Sequence, residues 1–170
     1  ASGWVLEAGS ALSGNDNTDA DPEVLVAIGE LSTSIGAADI TEVEMVTTTA
    51  DKSEGFTISV RVRYNEPVDV VTTGGTPTLA VTNDNSGTGS GRGPHSLSYA
   101  SGTGTNELIF SLAIAAANAA TNADDVLTVG AQNIALNSGT IKDASGTASD
   151  AAVAISSAQG TAAGSVTVTA

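Results

Sequence analysis

Apolar and polar side chains alternate along residues 56–64 of the chain. The even positions are apolar and the odd positions are polar, so that Ile58 and Val60 alternate with Ser59 and Arg61. Successive side chains of a β-strand point to opposite faces of a sheet, which gives a period of two residues. The pattern therefore predicts a half-buried strand in an antiparallel sheet.

Pro67 interrupts this strand shortly after the alternating stretch. Proline has no amide hydrogen to donate to a neighbouring strand, so we expect a bulge there and renewed pairing at Val68 and Val70. Glu66, just before the proline, has two interpretations. It is either a catalytic or calcium-binding carboxylate at a strand end, or a solvent-facing side chain beside the bulge. No histidine or second acid is evidently paired with it, which favours the second interpretation.

Further apolar runs, separated by turn residues, predict additional short strands. They lie at residues 41–46, 76–81, 96–101, 106–115, 125–130, 133–137, 153–157 and 165–170. The glycines at 102 and 104 predict a hairpin between two of these runs. The alanine-rich residues 113–125 predict a short helix or an irregular crossover. Many short strands with turns between them predict an all-β sandwich or barrel.

The first 46 residues have a different pattern and suggest a separate part of the chain. An apolar stretch at 3–12 is followed by a polar, acidic loop, and residues 24–35 are β-branched but broken by glycine. We therefore predict an N-terminal arm or extra strands over 1–46, a sandwich over 47–160, and a C-terminal strand or tail over 161–170.

Composition restricts the classes of partner. Nineteen Asp and Glu face five Lys and Arg, for a net charge of -14. Such a negative field repels nucleic acid and anionic lipid, so neither is an expected partner. There is no cysteine, which excludes disulfides and thiolate metal sites. No apolar run reaches the roughly 18 residues that a membrane-spanning helix requires.

Four segments resemble the repeats of the bacterial Ig-like class found in large surface proteins, adhesins and phage virion proteins. The segments are VRVRYNEPVDV, GTPTLAV, LSYASGTGTNELIFSLAI and LNSGTIKDASGTAS, which span about residues 55–157 in consistent order. The resemblance implies an Ig-like Greek-key β-sandwich. The chain departs from the repeat pattern in its long glycine-rich loop at 83–95. It also has a single copy preceded by an extension, whereas the family usually forms tandem repeats.

A single copy with its own arm resembles a capsid decoration protein of a tailed phage. The resemblance then implies a structural virion protein that decorates or cements the capsid exterior. Its expected partners are the major capsid protein, other virion proteins or further copies of itself. The alternative is a cell-surface or phage-fibre adhesion module, extracellular, that binds a glycan or protein through its loops. Fold alone does not distinguish these roles.

Two groups of residues are candidates for contact with a partner. Trp4, Val5 and Leu6 lie near the N-terminal end, where an aromatic anchor either packs on its own domain or docks onto a neighbour. Arg92 and His95 belong to the glycine-rich loop, which is either a simple surface loop or a contact loop on a rigid scaffold.

Calcium is the only cofactor that the sequence brings into consideration. Asp16, Asp19 and Asp21 supply hard oxygen ligands at short spacing, as calcium sites do. The loop lacks the glycine and glutamate of an EF-hand, and a solvated acidic loop is the simpler interpretation. We therefore expect no cofactor.

Catalytic constellations are absent from the sequence. The chain has one histidine and no G-x-S-x-G motif, whereas a serine hydrolase needs a histidine and an acid around an activated serine. A glycosidase would require two placed carboxylates, and aromatic residues, which stack on sugars, make up only 3% of the chain. We expect a protein that is not an enzyme.

Overall fold

The chain forms two compact units, residues 1–35 and residues 36–170. A computed structural model describes residues 2–6, 23–28, 36–83, 93–118, 121–144 and 148–170, the first two ranges by their backbone only. In the first unit, strand β1 (Ser2–Leu6) pairs antiparallel with strand β2 (Glu23–Ile28). The register shifts between Trp4 and Val5, which marks a β-bulge or irregularity.

The second unit contains eleven strands and one short helix in its described part. In chain order these are β3 (Ile40–Met45), β4 (Ala50–Asp51), β5 (Phe56–Val71), β6 (Thr78–Asn83), β7 (His95–Ser101), β8 (Thr105–Ile114), β9 (Val126–Thr128), β10 (Gln132–Asn133), β11 (Thr140–Asp143), β12 (Ala154–Ile155), α1 (Ser157–Ala162) and β13 (Ser165–Thr169).

Nine of these strands form one curled sheet. Its order is β11-β5-β8-β7-β6-β9-β13-β4, and β3 also pairs with β5. Strands β10 and β12 form a separate antiparallel pair. The prediction of an all-β, sandwich-like fold is confirmed. The finer Ig-like Greek-key arrangement stays a prediction.

Strand β5 has the alternating burial that the sequence predicts. Ile58, Val60, Val62 and Tyr64 are buried, while the residues between them face outward. On one edge β5 pairs with β8, and on the other it pairs first with β3 and then with β11. The β5–β8 register shifts between Arg63 and Val68, so the expected bulge around Pro67 is confirmed. The strand nevertheless continues to Val71, because β11 takes over the pairing beyond the proline.

The core contains apolar side chains from the middle of the curled sheet and from the strands toward one of its ends. Phe110 of β8 and Leu97 of β7 are fully buried, as are Leu127 of β9 and Val168 of β13. Burial of one such side chain contributes about 1.5–3 kcal/mol. The phenol of Tyr64 donates a hydrogen bond of 3.0 Å to the carbonyl of Ala152, which satisfies its polar end within the core.

Several boundaries differ from those that the sequence predicts. Strand β3 belongs to the main sheet, so the division between units falls at residue 35 rather than 46. The predicted strand at 133–137 is limited to the short β10. The predicted C-terminal strand, by contrast, is confirmed at Ser165–Thr169, where it pairs with β9. Of the two alternatives for 113–125, a short helix or an irregular crossover, the described part has the second: 113–114 complete β8, and turns and irregular structure follow.

Helix α1 is not anticipated by the sequence pattern. Its Ser156 side chain accepts from the amide of Gln159, while the Gln159 side chain accepts from the amide of Ser156, forming a capping box. The Gln159 amide group also donates to the carbonyl of Ile40 at 2.7 Å, which links the helix to β3.

Candidate functional site

Four buried polar residues lie together at the ends of β6 and β7. Asn83, His95, Thr121 and Asp125, here called the polar cluster, have at most 5% of their surface exposed. The Asn83 side-chain amide donates to Asp125 Oδ2 at 2.5 Å, and the backbone amide of Asn122 donates to the same oxygen at 2.7 Å. These bonds provide donors for a carboxylate that is removed from water.

His95 completes the polar cluster through Thr121. Its Nε2 lies 3.2 Å from the Thr121 hydroxyl, within hydrogen-bond distance. Burial lowers the pKa of His95, while the nearby negative charge of Asp125 acts in the opposite direction. His95 is therefore held in its neutral form at neutral pH.

The polar cluster contains the side-chain types of a hydroxyl nucleophile, an imidazole and a carboxylate. Thr121 is 0% exposed, however, so its hydroxyl is out of reach of a substrate. Asn83 is the last residue of β6 and His95 is the first residue of β7, so the cluster ties these two strand ends to the residues before β9. This geometry favours a structural role in holding the two strand ends.

A charged patch covers the outward face of β3, β5 and β8. Arg63 donates to Glu107 Oε1 from Nε at 2.9 Å and from Nη2 at 2.7 Å, and it also pairs with Glu42. Arg61 pairs with Glu44 on the neighbouring strand. These side chains are 31–51% exposed, so solvent screens the pairs and each contributes little to stability. The patch therefore occupies two of the five basic residues in contacts within the chain.

A shallow groove of about 370 Å³ lies at the other end of the curled sheet. Thr128 and Ser165 come from the strands, and Gly160, Thr161 and Gly164 come from α1 and the turn after it. A Cβ atom on Gly160 would lie 2.5 Å from the backbone of Gly130, so glycine allows α1 to pack closely here. The groove offers hydroxyl and backbone groups, which suit contact with another polypeptide.

The structure describes the predicted contact residues to different extents. Trp4, Val5 and Leu6 lie in β1, and nothing is described of their side chains. Arg92 lies outside the described residues, as do Asp16, Asp19 and Asp21. His95 is the first residue of β7 and is 5% exposed, which corrects its expected place in a surface loop. It is buried because it continues the inward-facing positions of β7. Contact of these residues with a partner stays a prediction.

Glu66 is half-buried beside the bulge, which corrects the expectation of a solvent-facing side chain.

Among the described residues, no three His, Cys, Asp or Glu side chains are close enough together to hold a metal ion. None of the described helical residues forms a helix long and apolar enough to cross a membrane.

The sequence did not identify the polar cluster, because its members come from three separate places along the chain. Asp125 is one of two consecutive aspartates before β9, and only its burial distinguishes it from exposed Asp124.

Comparison of the chain with protein-family models, curated proteins and solved structures gives no match.

Proposed function

We propose that the chain is a structural protein of a virion, which decorates or cements the capsid of a tailed phage. The observation that carries the proposal is the order of segments in residues 55–157, which resembles the Ig-like repeats of surface and virion proteins. The all-β, sandwich-like fold of the second unit is consistent with a resemblance to such repeats. An Ig-like Greek-key topology and a place on the capsid exterior are part of the proposal.

The proposed mechanism is adhesion without catalysis. Residues of the first unit, Trp4, Val5 and Leu6 in particular, contact the major capsid protein or another virion protein. Arg92 contributes a positive charge, and His95 holds the start of β7 through its contact with Thr121. The strongly acidic remainder faces solvent, where its net charge keeps neighbouring particles apart.

A second function is favoured by one observation, the anchoring of Asn83 and His95, the strand ends on either side of residues 84–92 in the sequence, by the polar cluster. A loop on a rigid scaffold is a common place for recognition. The alternative is therefore an adhesion module of a cell surface or phage fibre that binds a glycan or protein through this segment.

Sedimentation of native source material, with mass spectrometry of each fraction, tests the proposed location. We expect the chain to sediment with large particles that also contain a major capsid protein. Recovery with cell envelopes, or only as free protein, would overturn the capsid proposal.

Binding of purified chain to capsids that lack it then tests the mechanism. We expect deletion of residues 1–35 to abolish attachment, whereas replacement of 84–92 by a Gly-Ser segment of equal length has a smaller effect. The deletion ends at 35 because β3 belongs to the main sheet. Undiminished attachment of the deletion variant would exclude the arm mechanism. Loss of binding only in the Gly-Ser variant would favour the adhesion alternative.

A further inference from the structure

The N-terminal pair of strands, β1 and β2, carries large apolar residues on both of its faces. The register pairs Trp4 with Val26 and Val5 with Val24. Paired residues share a face, and successive residues of a strand lie on opposite faces, so Trp4 and Val5 belong to opposite faces. Strands that are apolar on both faces are typical of sheets that are covered on both sides.

Two strands alone do not cover two apolar faces. An isolated pair of strands is at best marginally stable in water, and it needs further strands or packing against another element. The other residues of the first unit, 7–22 and 29–35, contain large aliphatic side chains only at Leu12, Leu31 and Ile35. The pair therefore requires an apolar surface beyond these residues.

Charge limits which surface fits the first unit. Residues 1–35 contain six Asp and Glu and no Lys, Arg or His. The remaining residues contain thirteen Asp and Glu and five Lys and Arg, and Arg61, Arg63 and Lys142 already pair with carboxylates of the second unit. Neither a second copy of the first unit nor the remainder of the chain thus offers a surplus of positive charge. A basic partner is attracted to the first unit, whereas nucleic acid and anionic lipid are repelled.

We propose that β1 and β2 dock into an apolar groove of another protein, and that the rim of this groove carries lysine or arginine. Apolar contacts supply most of the affinity, while the opposite charges speed the encounter and select the partner. The inference rests on the proposed contact of the first unit with a virion protein, and it states the chemistry of that partner. It also extends the contact from Trp4, Val5 and Leu6 to the residues of β2.

Two designed amphipathic helical peptides test the proposal on the purified full-length chain. Both have the same leucine face, and their polar faces carry lysine in one peptide and glutamate in the other. Trp4 is the only tryptophan of the chain, so tryptophan fluorescence reports on β1 directly. We expect the lysine peptide to bind and to shift the emission to shorter wavelength, because binding excludes water. The glutamate peptide should bind at least about 10-fold more weakly, and added salt should weaken binding of the lysine peptide.

Substitution of a valine assigns the apolar contact to the strand pair. Val26→Thr keeps a β-branched side chain but adds a hydroxyl group, and it should weaken binding of the lysine peptide about 10-fold. Val46→Thr, at an exposed valine of the second unit, is the matched control and should bind as the wild type does. Circular dichroism confirms folding of each variant, and Val24→Thr replaces Val26→Thr if that variant unfolds.

Neutralised carboxylates assign the charge contribution to the first unit. Asp19→Asn combined with Asp21→Asn should weaken binding of the lysine peptide about 5-fold, because two attractive charges are removed near the contact. Asp39→Asn combined with Glu54→Gln changes the net charge equally at exposed positions of the second unit. That control should retain the wild-type affinity.

Several outcomes would overturn the proposal. They are an emission that neither peptide changes, equal affinity for the two peptides, and equal weakening by a variant and its matched control. An emission shift that follows protein concentration alone would assign the cover to a second copy. A shift with neutral phosphatidylcholine vesicles but not with the lysine peptide would assign it to a lipid surface. Because the titration uses no capsid, this partner chemistry and the proposed location on a virion are tested independently.

Discussion

At the scale of single residues, the buried side chains with polar groups are the most informative. Tyr64 and His95 each place an ionisable group inside the sandwich, and each has a hydrogen-bonding partner there. Burial raises the pKa of Tyr64 and lowers the pKa of His95, so both groups are kept neutral. Both groups therefore act as neutral hydrogen-bonding groups of the interior, because a buried charge without full compensation is costly.

The lowered pKa of His95 predicts a pH dependence of stability. Below the ordinary histidine pKa of about 6.5, the unfolded chain takes up a proton that the folded chain resists. The free energy of unfolding should therefore fall as pH decreases from 7 through 6.5 toward the lowered pKa of the folded state. Denaturant titrations at pH 7.5, 6.5 and 5.5 measure this decrease.

His95→Gln is the control for that titration, since glutamine keeps a polar group that never titrates in this range. We expect the variant to lose less stability than the wild type between pH 7.5 and 5.5. Equal losses in the two proteins would show that His95 does not contribute to the pH dependence.

At the scale of elements, two turns that are distant in sequence meet backbone to backbone. Gly75 lies in the turn between β5 and β6, and Asn137 lies in the turn between β10 and β11. A Cβ atom at residue 75 would lie 1.7 Å from the carbonyl oxygen of Asn137. The Asn137 side-chain amide donates to the carbonyl of Thr76 at 2.9 Å, which joins the same two turns.

Gly75→Ala should destabilise the fold because the contacting atom is backbone and has little freedom to move. We expect a loss of about 3 kcal/mol in the free energy of unfolding, as for other overpacked positions. Gly164→Ala is the matched control. Its φ of +85° disfavours alanine, but a Cβ there would have no atom within 4 Å. Its expected loss is about 1 kcal/mol. Similar losses in the two variants, measured by denaturant titration, would contradict the close approach of the turns.

At the scale of the whole molecule, charge is distributed unevenly over the second unit. The charged patch on β3, β5 and β8 has Arg61 and Arg63 in contact with glutamates, whereas the outward positions of β6 are Thr78, Ala80 and Thr82, which carry no charge. Both surfaces cover one apolar core. Two outer surfaces that differ in charge thus lie over the same apolar core.

Deletion of the N-terminal residues tests where the sandwich begins. Removal of 1–35 leaves every strand of the main sheet, and we expect the remaining chain to fold cooperatively. Removal of 1–46 also deletes β3, whose buried Ile40, Val43 and Met45 contribute about 1.5–3 kcal/mol each. That loss approaches the total stability of a typical domain, about 5–15 kcal/mol. Thermal unfolding distinguishes the two, and equal stability would place β3 outside the core.

Local patterns determined much of the strand content. Alternation along β5 identifies both its strand structure and its buried face, because side chains of a strand must point to opposite sides. The glycines before β8 identify the hairpin with β7, since tight turns need backbone conformations that glycine adopts easily. Pro67 identifies the bulge, because it has no amide hydrogen to donate.

Tertiary structure decided the rest. Helix α1 has six residues and weak local preference, and its link to Ile40 joins parts of the chain that are far apart in sequence. Strand β3 belongs to the sandwich because its partner, β5, is there. The polar cluster combines residues from separated parts of the chain, the ends of β6 and β7 and the segment before β9. Such sites depend on which strands become neighbours, and that depends on the packing of the whole core rather than on any local pattern.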